Sequence, residues 1–146
     1  MIYIGADHRG YELKEKIKQW LDALGCEYED LGAFEYNKDD DYPDFAELVA
    51  EKVSSNPESR GILICGSGVG VAIVANKIIG IRAGTATNAE QVKASINDED
   101  LNVLALSADY TDENMAKEIV KTFLENKFSG AERHVRRINK IKELEK

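Results

Sequence analysis

The sequence predicts an α/β protein with a three-layer, doubly wound architecture, in which helices cover both faces of a five-stranded parallel sheet. Three observations lead there. Short apolar runs alternate with segments of helical apolar spacing along the whole chain. The runs are almost continuously apolar, as in strands buried on both faces, rather than alternating apolar with polar. No repeat, low-complexity stretch or linker interrupts the pattern, so the 146 residues read as a single domain, 1–146.

Ile2 to Ala6 is the first buried strand. Leu13, Ile17, Trp20, Leu21 and Leu24 follow at helical spacing, and Gly25 closes that helix. Glu27 to Leu31 is a short second strand, and the polar stretch Gly32 to Asp41 is a loop. Phe45, Leu48, Val49 and Val53 stripe the next helix, with Pro43 in its first turn. Gly61 to Cys65 is the most apolar strand, Gly66 to Gly70 a glycine-rich turn, and Val71 to Lys77 a helix. Ile81 to Gly84 is the fourth strand, Asn88 to Asn97 a helix, and Val103 to Leu106 the fifth strand. Thr111 or Asp112 caps a helix reaching about Asn126, and an amphipathic helix runs from about Arg133 to the end.

Composition narrows the function. Nineteen basic against 27 acidic residues give a net charge of −8, which argues against nucleic acid or an anionic membrane as a partner. No apolar run has the length of a membrane span and no signal peptide is expected at the start of the chain. The two cysteines, Cys26 and Cys65, are too few for a disulfide framework, and a cytoplasmic protein with free thiols is expected. With only two histidines beside them, the usual zinc sites are excluded. The charge is unevenly spread: residues 127–146 hold seven Lys/Arg and three Asp/Glu. This basic tail on an acidic body is either a solvated helix or an anion site.

Ligands of doubly wound sheets bind at the carboxyl ends of the strands, so chemistry is sought after Ala6, Cys65 and Leu106. The sharpest feature is Cys65-Gly66-Ser67-Gly68-Val69-Gly70, a strand-to-helix turn whose glycines let backbone N–H groups face an anion or oxyanion. The spacing fits neither a dinucleotide fingerprint nor a Walker loop, and a tight turn without a ligand is the alternative. A cysteine sulfur at a helix N-terminus gains thiolate character and can act as base or nucleophile. The same position also suits an inert cysteine ending a core strand. After the first strand, Asp7-His8-Arg9-Gly10 places an imidazole and a guanidinium where an anionic group would lie; a capping Asp and a surface His are the plainer reading. Arg133 and Arg137, four apart on one helix face, can grip a phosphate together, whereas Arg136 points elsewhere.

Taken together these segments resemble the ribose-5-phosphate isomerase B family, which includes the two subunits of galactose-6-phosphate isomerase. The resemblance runs nearly end to end. It is carried by Gly5-Ala6-Asp7-His8-Arg9-Gly10, Asp41-Tyr42-Pro43-Asp44, Gly61 to Gly70, Ala75-Asn76-Lys77, Gly80-Ile81-Arg82-Ala83, Asn102-Val103-Leu104-Ala105, and Arg133-His134 with Arg137. It implies a Rossmann-like fold and aldose–ketose isomerisation of a sugar phosphate through an enediol, without metal or cofactor, most simply ribose 5-phosphate to ribulose 5-phosphate. Cys65 would be the base between C1 and C2. Ser67 would handle the neighbouring oxygens in place of the family's usual Thr. The N–H groups of Ser67, Gly68, Val69 and Gly70 would hold the enediolate, and Gly66 would adjoin the substrate. Asp7 and Tyr42 would contact the sugar, and His8, Arg133 and Arg137 the phosphate. The resemblance also implies a homodimer or homotetramer, with the C-terminal helix reaching across to the partner's site.

The chain departs from the family pattern at three places. The family's ring-opening His and its Asn neighbour fall on Asp98 and Glu99, which are therefore candidates for acid–base work at the ring oxygen. A phosphate-binding Arg of the family falls on Asp109, and one residue is inserted at Ala131-Glu132. Carboxylates beside a phosphate dianion repel it. Hence other sugar phosphates (galactose 6-phosphate or a tetrose phosphate), a heteromeric partner subunit, or a non-catalytic sugar-phosphate binding protein are carried as alternatives.

Overall fold

A computed structural model describes residues 1–145. Five strands form one parallel sheet in the order β2-β1-β3-β5-β4: β1 (Ile2–Ala6), β2 (Tyr28–Asp30), β3 (Arg60–Cys65), β4 (Ala83–Thr85) and β5 (Val103–Ser107). The helices are α1 (Tyr11–Ala23), α2 (Tyr42–Ser55), α3 (Val69–Ala75), α4 (Ala89–Glu99), α5 (Glu113–Glu125) and α6 (Glu132–Lys142). The predicted class is therefore observed.

Alternate side chains of each strand point to opposite faces, and the core divides accordingly. Ile2, Ile4, Ile62, Ile64, Leu104 and Leu106 pack with Ile17, Leu21, Val92, Ile96, Ile119 and Phe123 from α1, α4 and α5. Tyr3, Leu63, Cys65, Val103 and Ala105 pack with Val49, Val53, Val71 and Ala75 from α2 and α3. The strand order reverses between β1 and β3: β2 lies beyond β1 on one side, and β3 starts the other half. That reversal opens a crevice at the carboxyl ends of β1 and β3, between the Asp7–Gly10 loop and the Cys65 turn.

Several boundaries differ from the sequence reading. β4 is displaced toward the C-terminus, to Ala83–Thr85, because the Ile81 amide is tied to the Ile78 carbonyl in the preceding turn. α3 begins at Val69, directly after the turn, and ends at Ala75. α4 runs on to Glu99, so Asp98 and Glu99 occupy its last turn rather than a loop, and Asp100 ends it in the left-handed region (φ 51°). Leu24 and Leu48, counted in apolar stripes, are exposed. On α2 the small Ala46 and Ala50 turn inward with Val49 and Val53 in place of Leu48. Asn88 and Asp112 cap α4 and α5, accepting from the amides of Gln91 and Met115 at 2.8 Å each. Among the described residues, no helix is long and apolar enough to cross a membrane.

One charged cluster fastens α1 to β2. Lys14, wholly buried, donates to Asp30 at 2.6 Å; Lys18 donates to the same carboxylate oxygen at 2.9 Å. Gly32 N–H donates to the other oxygen at 2.9 Å. Burial pushes the Asp30 carboxyl up, but the hydrogen bonds from Lys14, Lys18 and Gly32 outweigh it and hold it below the ordinary carboxylate range. A depressed folded-state value contributes stability above the unfolded value, near pH 4, and that contribution disappears as pH falls through the folded value. Asp30→Asn is expected to lower stability by about 3 kcal/mol at pH 7, because it removes the nearer carboxylate of buried Lys14 and leaves it only Glu15 at 3.2 Å. The difference should shrink below pH 4, as measured by urea midpoints of the two proteins across that range.

Candidate active site

β3 is the central strand, and its last residue, Cys65, ends at the floor of the crevice. Cys65 is only 4% exposed, yet it lines an open cleft of about 460 Å³. The chain then reverses through Gly66–Gly68, and the Gly68 N–H comes back to donate to Cys65 Sγ at 3.2 Å. That contact fixes the sulfur against the start of the following helix. The turn needs glycine at 68: φ is +74°, and a Cβ there would lie 2.8 Å from the Leu106 carbonyl carbon and 2.9 Å from the Ser107 amide.

The turn is tied to both neighbouring loops. Thr85 Oγ1 donates to the Gly68 carbonyl at 2.8 Å, and Ser107 Oγ donates to the Gly66 carbonyl at 2.7 Å. The amides of Ala108 and Asp109 donate to the carbonyls of Cys65 and Gly66 at 2.9 and 3.1 Å. These bonds fix where the sulfur sits relative to β4 and β5.

From the opposite side comes the loop after β1. Asp7 is buried, and its Oδ1 accepts from the amides of Arg9 and Gly10 at 3.0 and 3.1 Å, which folds the loop into the start of α1. His8 is anchored by Asp40, one carboxylate oxygen of which accepts from the His8 amide at 2.9 Å and faces Nδ1 at 2.7 Å. An ionised carboxylate can only accept, so Nδ1 carries the proton and Nε2 is left for a ligand. The second oxygen of Asp40 is buried without a partner. Asp7, His8 and Asp40 each bring one potential metal-ligand atom within 4.8 Å of the others. The hydrogen bonds just described already engage this trio, and they fit a carboxylate-oriented imidazole. Tyr42 closes the third side, its ring lying against Gly70, where a Cβ would be 2.7 Å from the ring.

Of the residues singled out from the sequence, Asp7, His8, Tyr42, Cys65, Gly66, Ser67 and Gly70 come together around the cleft. Gly68 and Val69 do not line it. Their amides are committed within the turn, to Cys65 Sγ and to Ser67 Oγ (3.1 Å), so the expected row of amides facing a ligand is shorter than the sequence suggested. Asp98 and Glu99 lie elsewhere in the chain, on α4 against α6. Asp98 Oδ1 is 3.5 Å from His134 Nε2, and Glu99 borders a hollow with Ile141. His134 itself is buried, with Ser129 Oγ 2.6 Å from Nδ1. Arg133 and Arg137 are exposed on α6, away from this cleft.

Asp40 and Tyr110 also line the cleft and carry no signal of a site of their own in the sequence, whereas Asp41 belongs to the Asp41-Tyr42-Pro43-Asp44 motif and Asp109 stands where the family has a phosphate-binding Arg. Arg9, expected with His8 where an anionic group would lie, also lines it. The run of acids before Tyr42 was the sole hint of Asp40.

A family model described as ribose/galactose isomerase matches residues 2–141. A crystal structure of ribose-5-phosphate isomerase B from Mycoplasma genitalium with bound ribulose 5-phosphate superposes with a TM-score of 0.95 at 41% identity, covering 99% of this chain and 95% of that one. Ribose-5-phosphate isomerase B of Clostridium thermocellum superposes with a TM-score of 0.94 at 44% identity, covering 99% and 96%. Ribose-5-phosphate isomerase B of Mycobacterium leprae is 37% identical over 145 residues, 99% of this chain and 90% of the relative.

Exposure alone ranks the half-buried Cys26 above Cys65 for alkylation. The amide held against Sγ reverses that order: iodoacetamide should modify Cys65 first, and inorganic phosphate should protect it. Mass spectrometry of partially alkylated protein reads the order; Cys26 reacting first would mark Cys65 as an inert core thiol.

Proposed function

The chain belongs to the ribose/galactose isomerase family, and on that premise we propose that it interconverts ribose 5-phosphate and ribulose 5-phosphate, with Cys65 as the base. The observation that carries the reading is the sulfur at the floor of the cleft with the Gly68 amide directed at it. In the aldose-to-ketose direction the thiolate takes the proton from C2. The electron pair left behind forms the C1=C2 double bond, and the carbonyl electrons move onto O1. The same proton is returned at C1 while the O2 hydrogen passes to O1, which leaves the ketone at C2. Ser67, beside the sulfur, is placed to exchange hydrogen with O1 and O2. The amides of Ser67 and Gly70 are the donors proposed for the developing negative charge, which needs preorganised donors in place before it appears.

The phosphate needs positive charge. Among the described residues lining the cleft, Arg9 is the one permanently cationic side chain, against Asp7, Asp40, Asp41 and Asp109. The basic face of α6 is exposed and lies outside this cleft. We therefore propose a homodimer, alone or paired into a tetramer, in which Arg133 and Arg137 of one copy complete the phosphate site of the other. Support comes from apolar surface beside the cleft, where Tyr42, Val69 and Ile73 are exposed together on α2 and α3. Ring opening is proposed for Asp98, which faces the His134 imidazole, and for Glu99; like Arg133 and Arg137 they lie away from this chain's own cleft and would reach a substrate only from the second copy. A carboxylate–imidazole pair supplies acid–base function where the family's histidine is missing. The cytoplasm is the proposed compartment, consistent with two free thiols.

Cys65→Ala should abolish turnover, at least a thousandfold by the scale of removing a catalytic nucleophile or base, while phosphate still binds. A panel of four- to six-carbon aldose phosphates, assayed for ketose formation, identifies the preferred substrate. Turnover surviving in Cys65→Ala would remove the proposed base, and binding without wild-type turnover on any member would make the protein a binding module.

Arg137→Ala should raise KM for the sugar phosphate about tenfold, the scale of one lost charge-assisted contact, and Arg136→Ala much less. Steady-state kinetics of the two variants check this; equal effects would remove the i, i+4 grip.

A further inference from the structure

Arg9 is held in place by more than an exposed side chain requires. Its guanidinium lies against the Cys65 turn: a Cβ on Gly66 would be 2.7 Å from Nε and 2.8 Å from Cζ. Its Nη2 is bonded to Asp109 Oδ2. Asp109 is itself fixed, because its amide donates to the Gly66 carbonyl at 3.1 Å. The turn, the guanidinium and the carboxylate thus form one stack above the backbone that follows the reactive sulfur.

The fork geometry of a guanidinium lets one edge bind a carboxylate while other N–H groups remain free for two oxygens of a phosphate. The Arg9 side chain is 57% exposed, so those donors stay accessible at the cleft. His8, on the same loop, presents Nε2 to the same space. A surface ion pair without a ligand contributes little to stability and does not call for a bare backbone beneath it.

We propose that Arg9 is the phosphate ligand this chain supplies to its own cleft, and that Asp109 is the positioning residue that holds the guanidinium over Gly66. The proposal rests on the sugar-phosphate reading above. It also accounts for a carboxylate at an anion site: the repulsion of Asp109 is offset by the guanidinium it orients.

The test follows protection of Cys65 from iodoacetamide by inorganic phosphate, alongside isomerisation kinetics. In Arg9→Ala and Arg9→Gln the phosphate concentration giving half-protection should rise about tenfold, and KM for ribose 5-phosphate should rise in parallel with kcat within about threefold. Lys16→Ala removes one charge from the exposed face of α1, outside this cleft, and should leave both values within about twofold of wild type. Asp109→Ala separates positioning from charge. If Asp109 orients Arg9, phosphate protection weakens although a negative charge has gone; in the Arg9→Ala background the same change strengthens it.

Wild-type half-protection in both Arg9 variants, or an equal loss in Lys16→Ala, would overturn the role of Arg9, as would failure of phosphate to protect the wild type. Stronger protection in Asp109→Ala alone would overturn the positioning role. A wild-type protein that turns over no sugar phosphate but loses phosphate protection with Arg9 would keep this inference and refute the isomerase reading. Turnover with KM indifferent to Arg9 would do the reverse.

Discussion

The cleft depends on how closely the backbone after Cys65 is approached. Gly68 turns through a positive φ against the main chain of β5, and only that path brings its amide back to the sulfur at 3.2 Å. Gly66 lies beneath a guanidinium that any side chain would displace. A methyl group at Gly68 would press on the main chain of β5, and one at Gly66 would push the Arg9–Asp109 pair off the turn. The position of one sulfur and the shape of the surface around it therefore both depend on bare backbone at these two places.

The sheet explains why these contacts meet where they do. β3 is central, with β1 and β5 as its neighbours, so the loops leaving all three strands emerge side by side at one edge. The β1 loop brings Asp7, His8 and Arg9; the β5 loop brings Ser107 and Asp109. Each is anchored before it reaches the cleft, Asp7 by capping its own loop and Ser107 by binding the Gly66 carbonyl. The polar residues nearest the sulfur thus sit on short, hydrogen-bonded turns supported by a rigid sheet, as a site that must hold its geometry requires.

Much of this was legible in the sequence because it follows from period and position. Apolar strands alternating with amphipathic helices fix a doubly wound sheet, and the sheet fixes which loops converge. Cys65 and His8 were found by where their strands had to end, and Tyr42 only by the resemblance of Asp41-Tyr42-Pro43-Asp44 to its family. Asp40 was not, because it lies in a polar loop where acids carry no periodic signal; its role appears only when the His8 imidazole is seen beside it. The pairing of Arg9 with Asp109 spans 100 residues, and no local pattern reports it. Asp98 shows the opposite failure: the sequence marked the position but not its partner, since the neighbouring imidazole belongs to a helix that packs there only in the folded chain.

Electrostatics decide what the single chain leaves undone. Four carboxylates line a cleft that is to receive a phosphate dianion, and two of them are spent internally: Asp7 on the loop amides and Asp40 on His8. Asp109 is paired with Arg9, which leaves Asp41 at the N-cap position of α2, its carboxylate making no capping bond. The field in the cleft is then set less by the count of charges than by which of them are already satisfied. Carboxylates that accept hydrogen bonds from the protein direct those donors and so shape the site, and their repulsion of a ligand is reduced by the dipoles and cations they hold. A cleft built this way binds an anion through oriented donors, and its remaining deficit of positive charge is of the kind that an exposed arginine face on a second copy would fill.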